Sequence, residues 1–220
     1  DDGFEYLAHV AWSESAPLLA VQSRDQRTLA VLEVDPANGS TAEVHRITDS
    51  DWVDLVPGTP VRWARGPEEA GVLATVEAHD GTYRLCREGE PISPLGLQVR
   101  SVVGPDGDGN LVVLASSDPL DVDVVRIALD GTVTPIASAS SAGVGAGAGG
   151  VHGAAVGGGT VAVRSSTMEG SSTRVLPAGH VLDDRSEAPS VDAAPTFHVV
   201  GDRDLQAAVL VPADHDGAPL

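Results

Sequence analysis

Residues 6–47 read YLAHVAWSESAPLLAVQSRDQRTLAVLEVDPANGSTAEVHRI. Four short runs in this stretch, YLAHVAW, LLAVQS, TLAVLEV and TAEVHRI, alternate apolar and polar residues and are separated by turn formers. Side chains of an extended chain point alternately to opposite faces, so a period of two predicts strands and not helices. The last two runs are joined by DPANGS, whose Pro, Asn and Gly favour a tight reversal that makes its flanking strands antiparallel neighbours. The stretch predicts a four-stranded antiparallel meander.

The pattern then recurs. PVRWA, GVLATVEAH, TYRLCRE and a short piece near Pro91 to Ser93 form a second set, with Asp80-Gly81 as its middle turn. LQVRSVV, NLVVLASS, VDVVRIAL and TVTPIA form a third, with turns at Gly104 to Gly109 and at Asp130-Gly131. VHGAAVG, TVAVRSS, TRVLPAG and HVLDD form a weaker fourth. No convincing helical stripe of ten residues or more appears. The opening strands are spaced by roughly 40 to 50 residues, the length of one propeller blade. Equivalent positions repeat too: VAWS (Val10 to Ser13) and VRWA (Val61 to Ala64) each open a set, and VVGPDGDGN and AVGGGT each lead from a first strand to a second. The expected fold is all-β, with about four antiparallel four-stranded blades whose flat faces stack through apolar side chains. Four blades also make half of a larger ring, which would leave two blade faces open to self-association.

Composition limits function. At 220 residues and 42% hydrophobic content the chain can bury a real core. Its formal charge of -19 argues against a nucleic-acid or anionic-membrane surface, because phosphates would be repelled. All 13 basic residues are Arg, which points to a GC-rich coding sequence and says nothing of mechanism. The single cysteine, Cys86, excludes an intramolecular disulfide and any cysteine-based zinc site, and its place in YRLCRE reads as a small buried core side chain. No apolar run approaches the roughly 20 residues of a membrane span. The opening DDGFEYLAHV shows no signal peptide, which leans toward the cytoplasm while leaving the compartment open, since targeting ahead of Asp1 is not readable here.

Several features imitate chemistry. SASSAGVGAGAGGVHG, Ser138 to Gly153, lacks the Gly-Lys-Ser/Thr ending of a phosphate loop and reads as a connection between blades. The adjacent carboxylates Glu68 and Glu69 could capture a cation or an amino terminus, but neighbours at a hairpin tip point apart into water. The seven His lack ligand spacings such as HxH or HExxH, and His152 and His215 read as strand-start or turn residues. No GxSxG occurs, so the chain shows no complete catalytic constellation, and no cofactor or metal is expected.

In order along the chain, these stretches resemble the second half of the β-propeller of dipeptidyl peptidase IV-like enzymes of the prolyl oligopeptidase group, especially the bacterial ones. YLAHVAWSESAPLLAVQSRDQRTLAVLEVDPANGST resembles the blade in which YLARVxW leads to VQxxxRxQxxLxLxxxDxxTG. TDSDWVDL (Thr48 to Leu55) resembles the following loop, VEAHDGTYRLC the SERDGxxHLY strand and turn, ALDGTVTPIA the LDGGxxxxLT segment, and Gly150 to His152 the GxHxAxFS opening of the final blade. RDLQAAVLVPADHDGAPL (Arg203 to Leu220) is similar to the hairpin that leaves the propeller for the hydrolase domain.

The resemblance implies an eight-bladed propeller capping an α/β-hydrolase, with residues 1–194 as blades and 195–220 as the exit hairpin. It also implies a parent serine peptidase that removes dipeptides, typically ending in Pro or Ala, from peptide amino termini. The partners implied are the hydrolase domain of the same parent and peptide substrates. No catalytic residue carries over, because nucleophile, acid and histidine belong to the hydrolase domain. Glu68-Glu69 lacks the family's DEE context, so the amino-terminus-binding role is not transferred. What carries over is the loop of Trp52, Val53 and Asp54, which corresponds to one facing the cavity between the two domains; Trp52 as interblade packing is the competing reading. The expected role is non-catalytic, gating and shaping a peptide-binding cavity. The rival expectation is a self-contained propeller or β-sandwich that binds a partner protein.

Overall fold

Alternation becomes strand throughout the computed structural model, which describes residues 3–12, 16–64, 71–138, 150–167, 170–187 and 195–211. The first sheet runs β1 (Tyr6–Ala11), β2 (Leu18–Gln22), β3 (Thr28–Val34), β4 (Thr41–Thr48). The second runs β5 (Val61–Trp63), β6 (Val72–His79), β7 (Thr82–Arg87), β8 (Glu90–Pro91). The third holds β9 (Gln98–Pro105), β10 (Leu111–Ser116), β11 (Asp123–Ile127) and β12 (Val133–Ala137). The fourth holds β13 (Val151–Gly157), β14 (Thr160–Thr167), β15 (Gly170–Leu176) and β16 (His180–Leu182). Each sheet is a sequential antiparallel meander, the form of a propeller blade. A last hairpin, β17 (Thr196–Val200) with β18 (Leu205–Val209), forms its own two-stranded sheet. There is no helix among the described residues, and no helix long and apolar enough to cross a membrane.

Local chemistry sets the turns. Asp80 and Gly81 both have positive φ, 50° and 76°, the two-residue reversal whose twist matches the strands it joins. The fourth strand of the second blade is shorter than the Pro91 to Ser93 expectation and starts one residue earlier. Beyond Pro91 the regular ladder ends: Ile92 and Ser93 both donate their backbone N–H to Leu85 O, at 2.8 and 3.3 Å, while Leu85 donates its own N–H to Ser93 Oγ at 2.9 Å and Arg84 Nε donates to Ser93 O at 2.7 Å.

The core lies between blades. In β6, Leu73 packs with Leu18, Ala20, Leu29 and Val31 of the first blade, whereas the next residue, Ala74, and then Val76 belong to a cluster shared with the third. In β10, Leu111, Val113 and Ala115 face the second blade while Val112 meets Val161 and Val163 of the fourth. A central strand sandwiched between two sheets buries both faces, which is why NLVVLASS reads as an apolar run and not as strict alternation. At the joint of the second and third blades, Trp63 is fully buried and its Nε1 donates to Gly109 O at 3.1 Å. Trp12, its counterpart in the sequence repeat, is 82% exposed. Residues 65–70, which follow β5 in the second blade, lie outside the described residues.

That Gly109 turn is organised by Asp106. Its Oδ1 accepts the backbone N–H groups of Asp108 and Asn110, each at 2.9 Å, and its Oδ2 accepts Arg126 Nε at 2.8 Å. Burial pushes this carboxyl up, but the Asn110, Asp108 and Arg126 donors outweigh burial and hold it below its ordinary value. A carboxylate depressed in the folded state stabilises above the unfolded value of about 3.9 and loses that contribution as pH falls through the lower folded value. Urea unfolding followed from neutral to acid pH is therefore expected to show a stability difference between wild type and Asp106→Asn that shrinks below about pH 4. A difference independent of pH would contradict the assignment.

Candidate functional site

The 49–54 loop is shaped by one side chain. Asp49 Oδ1 accepts the backbone N–H of Asp51 at 2.7 Å and of Trp52 at 3.0 Å, a side-chain-closed turn whose two donors lower the Asp49 pKa. The loop is pinned to the β2–β3 hairpin by backbone bonds from Asp49 N to Arg27 O and from Val53 N to Gln26 O, and Gln22 Nε2 donates to Val53 O at 2.9 Å. The three residues singled out in the sequence thereby diverge. Val53 is buried among Leu18, Leu29, Val31 and Leu73; Trp52 is 64% exposed and outside the interblade clusters; Asp54 is exposed. The packing expected of Trp52 in the competing reading is done by Val53.

All three line a cleft of about 290 Å³ between the first two blades. Its other walls are the end of β4 (Arg46, Ile47, Thr48) and residues of β6 and β7, among them Glu77, His79 and Tyr83. Tyr83 stands beside Asp54, and its phenol is pushed up first by burial and then by the Asp54 charge. Arg46 is paired with Glu43 through both guanidinium Nε and an Nη, and its guanidinium lies 5.3 Å from the Phe4 ring centroid. With that cation paired, and Glu77 paired with His45, the carboxylates of Asp49 and Asp54 leave the cleft acidic in balance.

The cleft floor holds a polar group that the sequence did not reveal. His45, from β4, meets Glu77 of β6 at 2.9 Å between Nε2 and Oε1, and Thr75 Oγ1 donates to the same oxygen. The bond to Glu77 is the main reason the His45 pKa is raised. Burial pushes Glu77 up, but its His45 and Thr75 bonds outweigh that and lower it. Cys86 is fully buried, as its strand position suggested, yet its Sγ lies 3.4 Å from His79 Nε2. Burial foremost, then the Glu77 charge, push the thiol up to about 12, so it is a poor nucleophile.

Elsewhere, His152 Nδ1 is 2.9 Å from Ser165 Oγ, but the ring is 5% exposed and its Nε2 is buried without a hydrogen-bond partner. Burial lowers its pKa, the imidazole lacks the carboxylate bond that orients a catalytic base, and the pair is structural. Glu68, Glu69, His215 and residues 139–149 of the glycine-rich stretch lie outside the described residues.

Four-stranded blades with cores between their faces, and a polar cleft at one joint, define a β-propeller portion with a surface cleft. The chain shares its fold with part of the crystal structure of Porphyromonas gingivalis dipeptidyl peptidase 4, at 16% sequence identity and a TM-score of 0.70 over 96% of this chain. It spans 32% of that protein's length. No family model matches the chain, and no curated protein matches it by sequence.

Proposed function

We propose that the chain is the second half of an eight-bladed propeller in a bacterial dipeptidyl-peptidase-type serine peptidase, where it gates and shapes the peptide-binding cavity. The observation that carries this reading is the structural match of nearly the whole chain to about a third of a dipeptidyl peptidase. The collinear order of the motifs from YLAHVAW to RDLQAAVLVP supports it. In this reading Trp52 offers an aromatic face, and the exposed Asp54 an acceptor for a peptide N–H or ammonium group, while buried Val53 anchors the loop. The contribution is orientation and steric selection; acyl transfer takes place at a serine of a hydrolase domain in the same parent.

Two results are expected. The 220-residue chain, freed of contaminating peptidases, leaves an Xaa-Pro chromogenic substrate intact, and cleavage by it would overturn the reading. In the parent enzyme, Trp52→Ala raises KM about tenfold with kcat little changed, the signature of lost uniform binding. An unchanged KM would remove Trp52 from the cavity.

A further inference from the structure

We propose that Glu77, His79 and Cys86 form a binding site for a zinc-like divalent cation at the floor of the cleft. One ligand atom from each, a carboxylate oxygen, an imidazole nitrogen and the thiol sulfur, lie within 4.8 Å of one another. In a tetrahedral site with Zn–N near 2.0 Å and Zn–S near 2.3 Å, neighbouring ligand atoms stand about 3.5 Å apart. The 3.4 Å between Cys86 Sγ and His79 Nε2 is already that separation. One thiolate, one imidazole and one carboxylate is a donor set suited to zinc, not to magnesium or calcium, which take all-oxygen shells.

The surroundings fit an ion. Glu77 Oε1 is occupied by His45 and Thr75, which fixes the carboxylate and leaves Oε2 for the metal. His45 is thereby a positioning residue, the outer partner that ligating carboxylates generally have. Such a site runs against the expectation that a lone cysteine excludes any cysteine-based zinc site, which counted thiols along the sequence. That count leaves out a mixed set in which β6 and β7 bring one thiol to an imidazole and a carboxylate. Glu77 and His79 also line the cleft while Cys86 is buried, so a bound ion would keep its fourth position toward the cleft. On binding, the Cys86 S–H bond breaks, an S–metal bond forms, and the proton leaves to solvent. The inference stands on Glu77, His79 and Cys86, with the bonds of His45 and Thr75 to Glu77, and is independent of the peptidase reading.

The test is cobalt(II) titration of the metal-free chain followed by zinc competition. Cys86 is the chain's single cysteine, so any thiolate-to-cobalt charge-transfer band reports on it alone. We expect that band together with visible absorption of tetrahedral intensity, saturating at one ion per chain and bleached by zinc. Cys86→Ser should abolish the charge-transfer band, and His79→Ala should weaken cobalt binding at least as much as the outer-partner change. His45→Gln should keep the band but lower affinity about 10–100-fold. No thiolate band on the wild-type chain overturns the proposal whatever the variants do. Affinity unchanged in His79→Ala overturns the ligand set.

Discussion

Trp63→Ala is expected to destabilise the chain by about 3–5 kcal/mol, a large share of the roughly 5–15 kcal/mol that holds a typical domain folded. The indole is fully buried and sits in the cluster that joins the second and third blades, with Val99, Leu111 and Val113 among its members. Removing it opens a cavity between two sheets that cannot close without the blades sliding. It also removes the Nε1 bond to Gly109 O, leaving a buried carbonyl short of its donor. Trp63→Phe keeps most of the volume and should cost less than half as much. Urea unfolding of both variants checks this, and a loss below about 1 kcal/mol for the alanine variant would mean the joint is not packed as described.

Gly58→Ala should be as damaging for a different reason. Gly58 has φ +83°, and a Cβ there would lie 1.8 Å from the carbonyl oxygen of Val102 and 2.8 Å from its carbonyl carbon. The loop cannot simply step back, because Val102 N–H donates to Pro57 O at 2.9 Å and ties it to β9. Strain and overlap together should cost at least about 3 kcal/mol. Gly81→Ala is the control: its φ is +76°, but nothing lies within 4 Å of the added carbon. That substitution should cost about 1 kcal/mol, from backbone strain alone. Equal losses at the two positions would show that the close approach of loop and blade contributes nothing.

Both expectations concern joints between blades, and the joints are where sequence and structure part company. The strands were legible because period-two alternation and turns such as Asp80-Gly81 are local signals, and β1 to β4 fall on the four runs quoted first. NLVVLASS was legible as a strand although it is apolar on both faces, because its length and flanking turns bound it. The two-residue β8 was not legible, since two successive N–H groups, of Ile92 and Ser93, converge on Leu85 O and the Ser93 hydroxyl takes the Leu85 N–H, an irregular end that no pattern announces. Equivalence of Trp12 and Trp63 was legible as repetition, but which of the two is buried was not: Trp63 is 0% exposed and Trp12 82%.

The site was harder still. The turn propensity of Asp49 and its neighbours marks the 49–54 loop, but nothing in TDSDWVDL says that Val53 turns inward and Trp52 outward. His45, Glu77, His79 and Cys86 have no motif spacing. They meet because β4 of one blade lies against β6 of the next, and because β6 and β7 are cross-strand partners. Cys86 was correctly placed as buried. What the strand pattern could not show is that its neighbours are an imidazole and a carboxylate rather than apolar side chains. Long-range assembly of this kind is set by blade stacking, and the signal that could have found it is the pairing of β6 with β7 combined with the face each residue occupies.

We propose that this chain is the propeller portion of a serine peptidase whose chemistry lies in another domain. Reading the coding sequence beyond Leu220 tests it most directly. The account calls for an open frame that carries a GxSxG nucleophile turn within the next few hundred residues, followed in order by an acid and a histidine. A stop codon directly after Leu220, or a downstream domain without that constellation, would contradict it.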